Sequence, residues 1–206
     1  MRVSEITGLT YESRKAEYRL YPSRKQKLLL AETLELSRQL YNAALEERIG
    51  AYKTGKSLNY YDQSKSLSIV RKENIEYKQI YSQSGQLTLK RLELAYKAFF
   101  SRVKKGQKAG FPRFKSRNAY RSFGFPQHNS GWKLTLNKKG GNVSLFEIGL
   151  ISLRGQTRFK NGVPKTCDVV LKNGKWYLSV CFDVDSRDLF REHGDKAFAF
   201  DLGLRT

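Results

Sequence analysis

The chain has 206 residues, 39% of them hydrophobic and 13% aromatic, which is enough apolar material for one packed domain or two small ones and excludes a disordered tail as the default. Lysine and arginine total 39 against 19 acids, a formal net charge of +20 with a pI near 10.0, and so large an excess points to a polyanionic partner. No apolar run approaches the roughly 20 residues of a spanning helix and no signal-peptide apolar region follows Met1, so nucleic acid is favoured over an anionic membrane. Cys167 and Cys181 fall in predicted strands without CxxC spacing and read as small core residues of a reducing compartment, with no zinc site in this span. His128 and His193 stand isolated in polar loops and read as solvated.

Residues Met1 to Thr10 carry no strong pattern; Tyr18-Arg19-Leu20-Tyr21 then reads as a short strand stopped by Pro22. Ser23, three residues before Gln26, has capping-box spacing, and Leu30, Leu34, Tyr41, Leu45, Ile49 and Tyr52 keep one helical face apolar until Thr54-Gly55. Asn59 caps a second helix, with Tyr60, Ser64 and Leu67 on neighbouring turns. A third helix begins between Tyr81 and Gln86 and runs to about Val103, with Leu92, Ala95, Phe99 and Val103 on one face and Leu87, Arg91, Leu94 and Ala98 beside it. Three such helices make a small bundle, either a helix-turn-helix reader or a plain structural one. Tyr60 and Ser64 share a face, and Gln86 near the start of the third helix could reach a groove. Glutamine pairs bidentately with adenine, while tyrosine and serine contact phosphates or bases.

Between Arg102 and Arg121 stand eight basic residues and no acid: Arg102, Lys104, Lys105, Lys108, Arg113, Lys115, Arg117 and Arg121, interleaved with Phe111, Phe114 and Tyr120. Cations that neutralise phosphates beside rings that stack on bases suggest nucleic-acid contact of the backbone-recognising kind, to an RNA fold or a heteroduplex. The plainer alternative is a solvated basic loop pinned to a core by Gly110-Phe111-Pro112.

From Arg121 the apolar period becomes two: Phe123, Phe125; Trp132, Leu134, Leu136; Val143, Leu145; Ile151, Leu153; Cys167, Val169, Leu171; Trp176, Leu178, Val180, Phe182. Gly140-Gly141-Asn142 and Asn173-Gly174 supply turn chemistry. With the early strand these would close a small barrel of oligonucleotide-binding type, the helices being inserted after its first strand. Asp183 to Asp195 reads as a charged connector. Ala197-Phe198-Ala199-Phe200 then runs unalternated into Asp201, as a strand covered on both faces would, and a carboxylate at such a strand end beside Gly203 suits a Mg²⁺ ligand in phosphodiester chemistry.

Arg19-Leu20-Tyr21-Pro22, Tyr41-Asn42, Leu58-Asn59-Tyr60, Leu89-Lys90-Arg91-Leu92 through Ala95-Tyr96-Lys97-Ala98-Phe99-Phe100, Gly110-Phe111-Pro112-Arg113-Phe114-Lys115 and Asp201-Leu202-Gly203-Leu204 together resemble TnpB, the OrfB-type transposase family of IS200/IS605 elements. The resemblance implies an RNA-guided DNA endonuclease related to Cas12 effectors, with an α+β fold. Residues 1–22 would give the first strand of a wedge-type β-barrel, 23–104 a helical recognition lobe, 105–184 the basic loop and the remaining barrel, 185–196 a linker, and 197–206 the start of a RuvC-like RNase H domain. Asp201 looks like the first RuvC carboxylate and metal ligand, while Tyr60, Ser64, Gln86 and Phe125 fall where the family contacts the short motif flanking its target. The implied partners are a guide RNA from the transposon end and double-stranded target DNA, with no membrane, in a prokaryotic cytoplasm at the nucleoid.

The family's further glutamate, aspartate and four-cysteine zinc ribbon do not occur within these residues, and Ser82 stands where a basic residue is expected near the flanking motif. The expectation is therefore a nucleic-acid-binding portion that does not cleave by itself, with Mg²⁺ bound in the intact parent and not tightly here. The alternatives are a shortened RNA-guided repressor and a simple helix-turn-helix DNA binder.

Overall fold

A computed structural model describes residues 2–3, 10–74, 76–155, 159 and 161–189; the expected linker beyond residue 189, His193 and the Asp201 strand lie outside the described residues. The short strand expected at Tyr18 to Tyr21 is in fact a strand of 12 residues, Thr10–Tyr21 (β2), preceded by a two-residue strand Arg2–Val3 (β1) that pairs with its start. Among residues 11–21 of β2, Ala16, Tyr18 and Leu20 are buried, at the strand period of two. Its polar first half is held by its ladder to the strand Lys175–Asp185 (β8), in register from Tyr11 opposite Asp185 to Arg19 opposite Tyr177. That is why apolar alternation missed it: the backbone is paired where the side chains are not covered.

The remaining strands are Ser122–Phe125 (β3), Trp132–Asn137 (β4), Gly140–Leu145 (β5), Gly149–Arg154 (β6) and Val163–Lys172 (β7). With β2 and β8 they form an antiparallel sheet in the order β3-β7-β8-β2-β6-β5-β4. Among the described residues β3 and β4 end this path unpaired with one another. The loop that joins them bridges the two sides instead: the His128 N–H donates to the Lys165 carbonyl at 2.9 Å, and the Phe146 N–H donates to the Gly131 carbonyl at 2.9 Å.

Asn173-Gly174 makes the expected two-residue turn, both residues at positive φ of 49° and 70°. Gly140 and Gly141 do not form one; they begin β5, and Lys138-Lys139 make the turn. Their small size serves backbone approach: a Cβ on Gly140 would lie 2.4 Å from the Leu153 carbonyl oxygen, and one on Gly141 2.0 Å from that of Thr135.

The helices are Arg24–Lys53 (α1), Tyr60–Glu73 (α2) and Ser82–Lys104 (α3). The Ser23 capping box is complete, with the Gln26 N–H donating to Ser23 Oγ at 3.3 Å and the Ser23 N–H to Gln26 Oε1 at 3.0 Å. Gln26 also donates to the Leu150 carbonyl at 2.8 Å, which ties the start of α1 to β6. Leu30, Leu34, Leu40, Tyr41, Ala44 and Leu45 are buried, but Tyr52 is 83% exposed, so the apolar face continues in sequence beyond anything that covers it. The same holds on α3, where Leu89 and Leu92 are buried while Leu94 and Val103 are 55% and 51% exposed. Gly85 lets α3 approach its neighbours, its Cβ position lying 3.2 Å from Leu67 Cδ2 of α2.

A continuous core runs from the sheet into the bundle, with Phe123 and Phe125 of β3 at the junction. Arg91 of α3 fastens that junction by donating to the Ser122 carbonyl at 2.8 Å and to Asp168 of β7 at 2.5 Å. No described helix is long and apolar enough to cross a membrane.

Candidate nucleic-acid interface

Asn59 accepts hydrogen bonds from the N–H groups of Tyr61 and Asp62, while Asp62 accepts the Asn59 N–H at 3.0 Å. This reciprocal cap starts α2 at Tyr60 and puts Tyr60 and Ser64 on adjacent turns facing α3. Gln86 stands exposed one turn into α3, between two shallow depressions. The first, about 430 Å³, is bounded by Tyr60, Gln83, Gln86, Lys90 and Gln127. The second, about 320 Å³, is bounded by Ser64, Arg71, Lys72, Lys78, Ser82 and Gln86. Three of the four residues expected to read the flanking motif therefore share one surface.

Phe125 does not join them. Its ring is 2% exposed and packs 6.1 Å from Tyr81 and 6.0 Å from Phe123, so it supports that surface from beneath. Its place in the period-two pattern already marked it as inward-facing.

Lys90 is a member that sequence reasoning missed. Its ammonium lies 5.0 Å from the centre of the Tyr60 ring, and the signal for it was the i, i+4 spacing from Gln86. Arg71, Lys72 and Lys78 add positive charge around Ser82, where the sequence lacked a basic residue. Arg71 is spent on structure, donating to the Tyr77 carbonyl at 2.8 Å and to that of Ile80, and its burial lowers its pKa. Gln127 comes from the β3–β4 loop, about 40 positions from Gln86 in the chain, and no local pattern could have paired them.

The basic centre after α3 forms a strap across α1 without regular structure. Phe111 packs edge-on against Tyr96 and Phe99 at 5.5 and 5.4 Å, and Pro112 is buried. At Lys115 the Asn42 side chain acts as a strand mimic: its Oδ1 accepts the Lys115 N–H at 2.8 Å and its Nδ2 donates to the Lys115 carbonyl at 3.0 Å. Arg38 donates to the same carbonyl at 3.0 Å, and Tyr120 is buried with its ring 6.0 Å from Tyr41.

Between these anchors Arg113, Phe114 and Arg117 are exposed, as are Arg102, Lys104, Lys105, Lys108 and Arg121. The strap is thus both pinned and cationic, and the two sequence alternatives describe different atoms of one segment. Lys115 serves mainly through its backbone, its ammonium resting 6.0 Å from the Tyr41 ring centre. Glu35 is the acid nearest the strap; the Arg38 guanidinium, 2.6 Å away, and weaker help from Gln39 and Arg117 lower its pKa to about 2. It therefore remains an anion that steadies Arg38 and Arg117 at neutral pH.

His128 is not the solvated residue expected. Its ring meets Trp132 at 4.8 Å and its Nε2 accepts the Leu134 N–H at 3.3 Å; burial, with Lys133 nearby, lowers its pKa. Cys167 is buried, and burial raises its thiol pKa well above the usual range.

Residues 13–57 match the family model of a helix-turn-helix domain, that of the OrfB proteins of IS605 elements. The matched residues are most of β2, all of α1 and the turn leading to α2. No curated protein matches the chain.

Proposed function

We propose that the chain, whose residues 13–57 match the helix-turn-helix domain of the OrfB proteins of IS605 elements, forms the guide-RNA- and target-DNA-binding part of a transposon-encoded RNA-guided DNA endonuclease. Nucleic-acid binding itself follows from the domain and the charge of +20. The observation that carries the finer reading is the α2–α3 surface. There Tyr60, Ser64 and Gln86 meet Lys90, with Lys72 and Lys78 at the margin. Gln86 offers an amide for an adenine edge, Tyr60 and Ser64 offer hydroxyls, and the lysines offer phosphate contacts. Such a set suits a short duplex motif, while the exposed cations of the strap suit the backbone of a guide RNA or its heteroduplex, whose sequence is read by pairing.

In this proposal the sheet takes the part of the wedge barrel, and the domain limits at residues 22, 104, 184 and 196 follow the family pattern. Asp201 would be a nuclease carboxylate and Mg²⁺ ligand. It lies outside the described residues, and among those described no group of three or more His, Cys, Asp or Glu could hold a metal ion.

A self-contained helix-turn-helix binder fits less well. Strand β2, within the matched segment, is paired to β8 and β6 far along the chain, so removing residues after Gly131 would strip the matched segment of its sheet partners.

The test is duplex selection. A library of double-stranded DNA with a randomised flank is incubated with the protein, with and without RNA transcribed from the end of its element. The proposal expects RNA-dependent retention of one flank motif, with the motif preference lost in Gln86→Ala. Retention that ignores the RNA sequence would exclude guidance.

A further inference from the structure

A groove of about 680 Å³ lies between the last turns of α1, the loop to α2, the second half of α3 and the start of the strap. Three of its rings face solvent: Tyr52 at 83%, Phe100 at 54% and Phe111 at 47% exposure. Two of them are held in place from behind, Phe100 by Tyr96 at 6.2 Å and Phe99 at 5.1 Å, and Phe111 by the same pair. Exposed rings braced at fixed positions are a costly surface to leave in water and a ready one for planar ligands.

The polar groups around it are cationic. Lys53 and Lys56 make no ion pair among the described residues. Glu93, the acid of the groove, is consumed by Arg48 at 2.9 Å and Lys97 at 3.7 Å. Arg48, itself 7% exposed, lines the groove and is held by Gln63, to which its Nε donates at 2.7 Å, and by the Tyr96 ring at 5.1 Å. Its Nη2 has no hydrogen-bond partner. A buried guanidinium donor without a protein acceptor is unusual, and a water or a ligand oxygen is the partner that satisfies it.

We infer that this groove binds unpaired nucleotides of RNA, their bases against Tyr52, Phe100 and Phe111 and an acceptor oxygen toward Arg48. An apolar peptide would satisfy the rings and leave the guanidinium and lysines unused; a nucleotide satisfies both. Duplex DNA keeps its base faces stacked inside, whereas RNA loops, bulges and ends present them to aromatic side chains. The inference rests on the proposed guide-RNA partnership and adds to it a second surface, on the face of α3 formed by its C-terminal half.

The test uses the full chain and a fluorescein-labelled, unstructured oligoribonucleotide of about 12 nucleotides, within the site sizes of single-strand binders. The double variant Tyr52→Ala/Phe100→Ala removes two exposed rings that the core does not need, and circular dichroism confirms its fold. The expected result is a Kd for RNA weakened about tenfold or more, with the salt dependence retained and duplex DNA binding unchanged. Lys53→Gln/Lys56→Gln should instead reduce the slope of log Kd against log salt by about one to two.

Failure of the wild-type chain to bind the RNA at all would defeat the guide-RNA proposal and this inference together. Wild-type binding matched by the ring variant would defeat this inference alone. Equal binding and equal loss with single-stranded DNA of the same sequence would overturn the assignment to RNA. Loss of self-association with RNA binding intact would give the groove to a second copy of the chain and overturn it as well.

Discussion

Asn42→Ala should loosen the basic strap without unfolding the bundle. Asn42 gives Lys115 one acceptor and one donor, at 2.8 and 3.0 Å, and only Arg38 remains on that carbonyl when it is removed. Two lost hydrogen bonds at about 1 kcal/mol each make roughly 2 kcal/mol, and the half-buried Lys115 N–H is left without a partner. If the strap opens as a local unit, 2 kcal/mol raises its open population about thirtyfold. Hydrogen–deuterium exchange over residues 111–119 reads this directly, while the peptides of β8 keep their protection. Asn42→Asp retains the acceptor for the Lys115 N–H and should lose less. RNA affinity should fall with Asn42→Ala because the exposed Arg113 and Arg117 are no longer held in one arrangement. Unchanged exchange across the strap in Asn42→Ala would refute the clamp.

Glu35 has a folded pKa of about 2 against an ordinary 4.5, so its stabilisation is complete above pH 4.5 and is lost as pH falls toward 2. Discounted for its partial exposure it is worth about 1 kcal/mol, and Glu35→Gln should remove that part of the acid dependence in urea unfolding. His128 is depressed below 6.5, so its contribution is present above pH 6.5 and declines as pH falls through the folded value; protonation also removes the acceptor for the Leu134 N–H, and His128→Gln should flatten stability in that window. Gln86→Ala should cost about 1–3 kcal/mol against the preferred duplex and nearly nothing against other sequences, measured by competition binding.

Local chemistry was legible where it is made by neighbours in sequence. Ser23 with Gln26, Asn59 as a cap and Asn173-Gly174 as a hairpin turn each need only a few adjacent residues, and each stands as expected. Periodicity failed where burial depends on what lies opposite. Tyr52 and Val103 extend helical faces past their cover, and the first half of β2 is held by backbone pairing that its side chains do not announce. The candidate site was half legible. Tyr60, Ser64 and Gln86 lie on one surface, but Lys78 and Gln127 reach it from other elements. Arg48 was hidden because a charged helical residue reads as solvated, although it follows Ala44 and Leu45 on the buried face at i+4 and i+3. Its pairing with Gln63 and Glu93, with the Tyr96 ring alongside, makes burial tolerable.

The central claim, that a pinned cationic strap beside the α2–α3 surface grips nucleic-acid phosphates, is most directly tested by the salt dependence of binding. Anisotropy titrations of labelled RNA and duplex DNA should show log Kd rising linearly with log salt, and Lys104→Gln/Lys105→Gln/Lys108→Gln should reduce the slope by about two to three. A slope that the triple variant leaves unchanged, or affinity indifferent to salt in the wild-type chain, would contradict it.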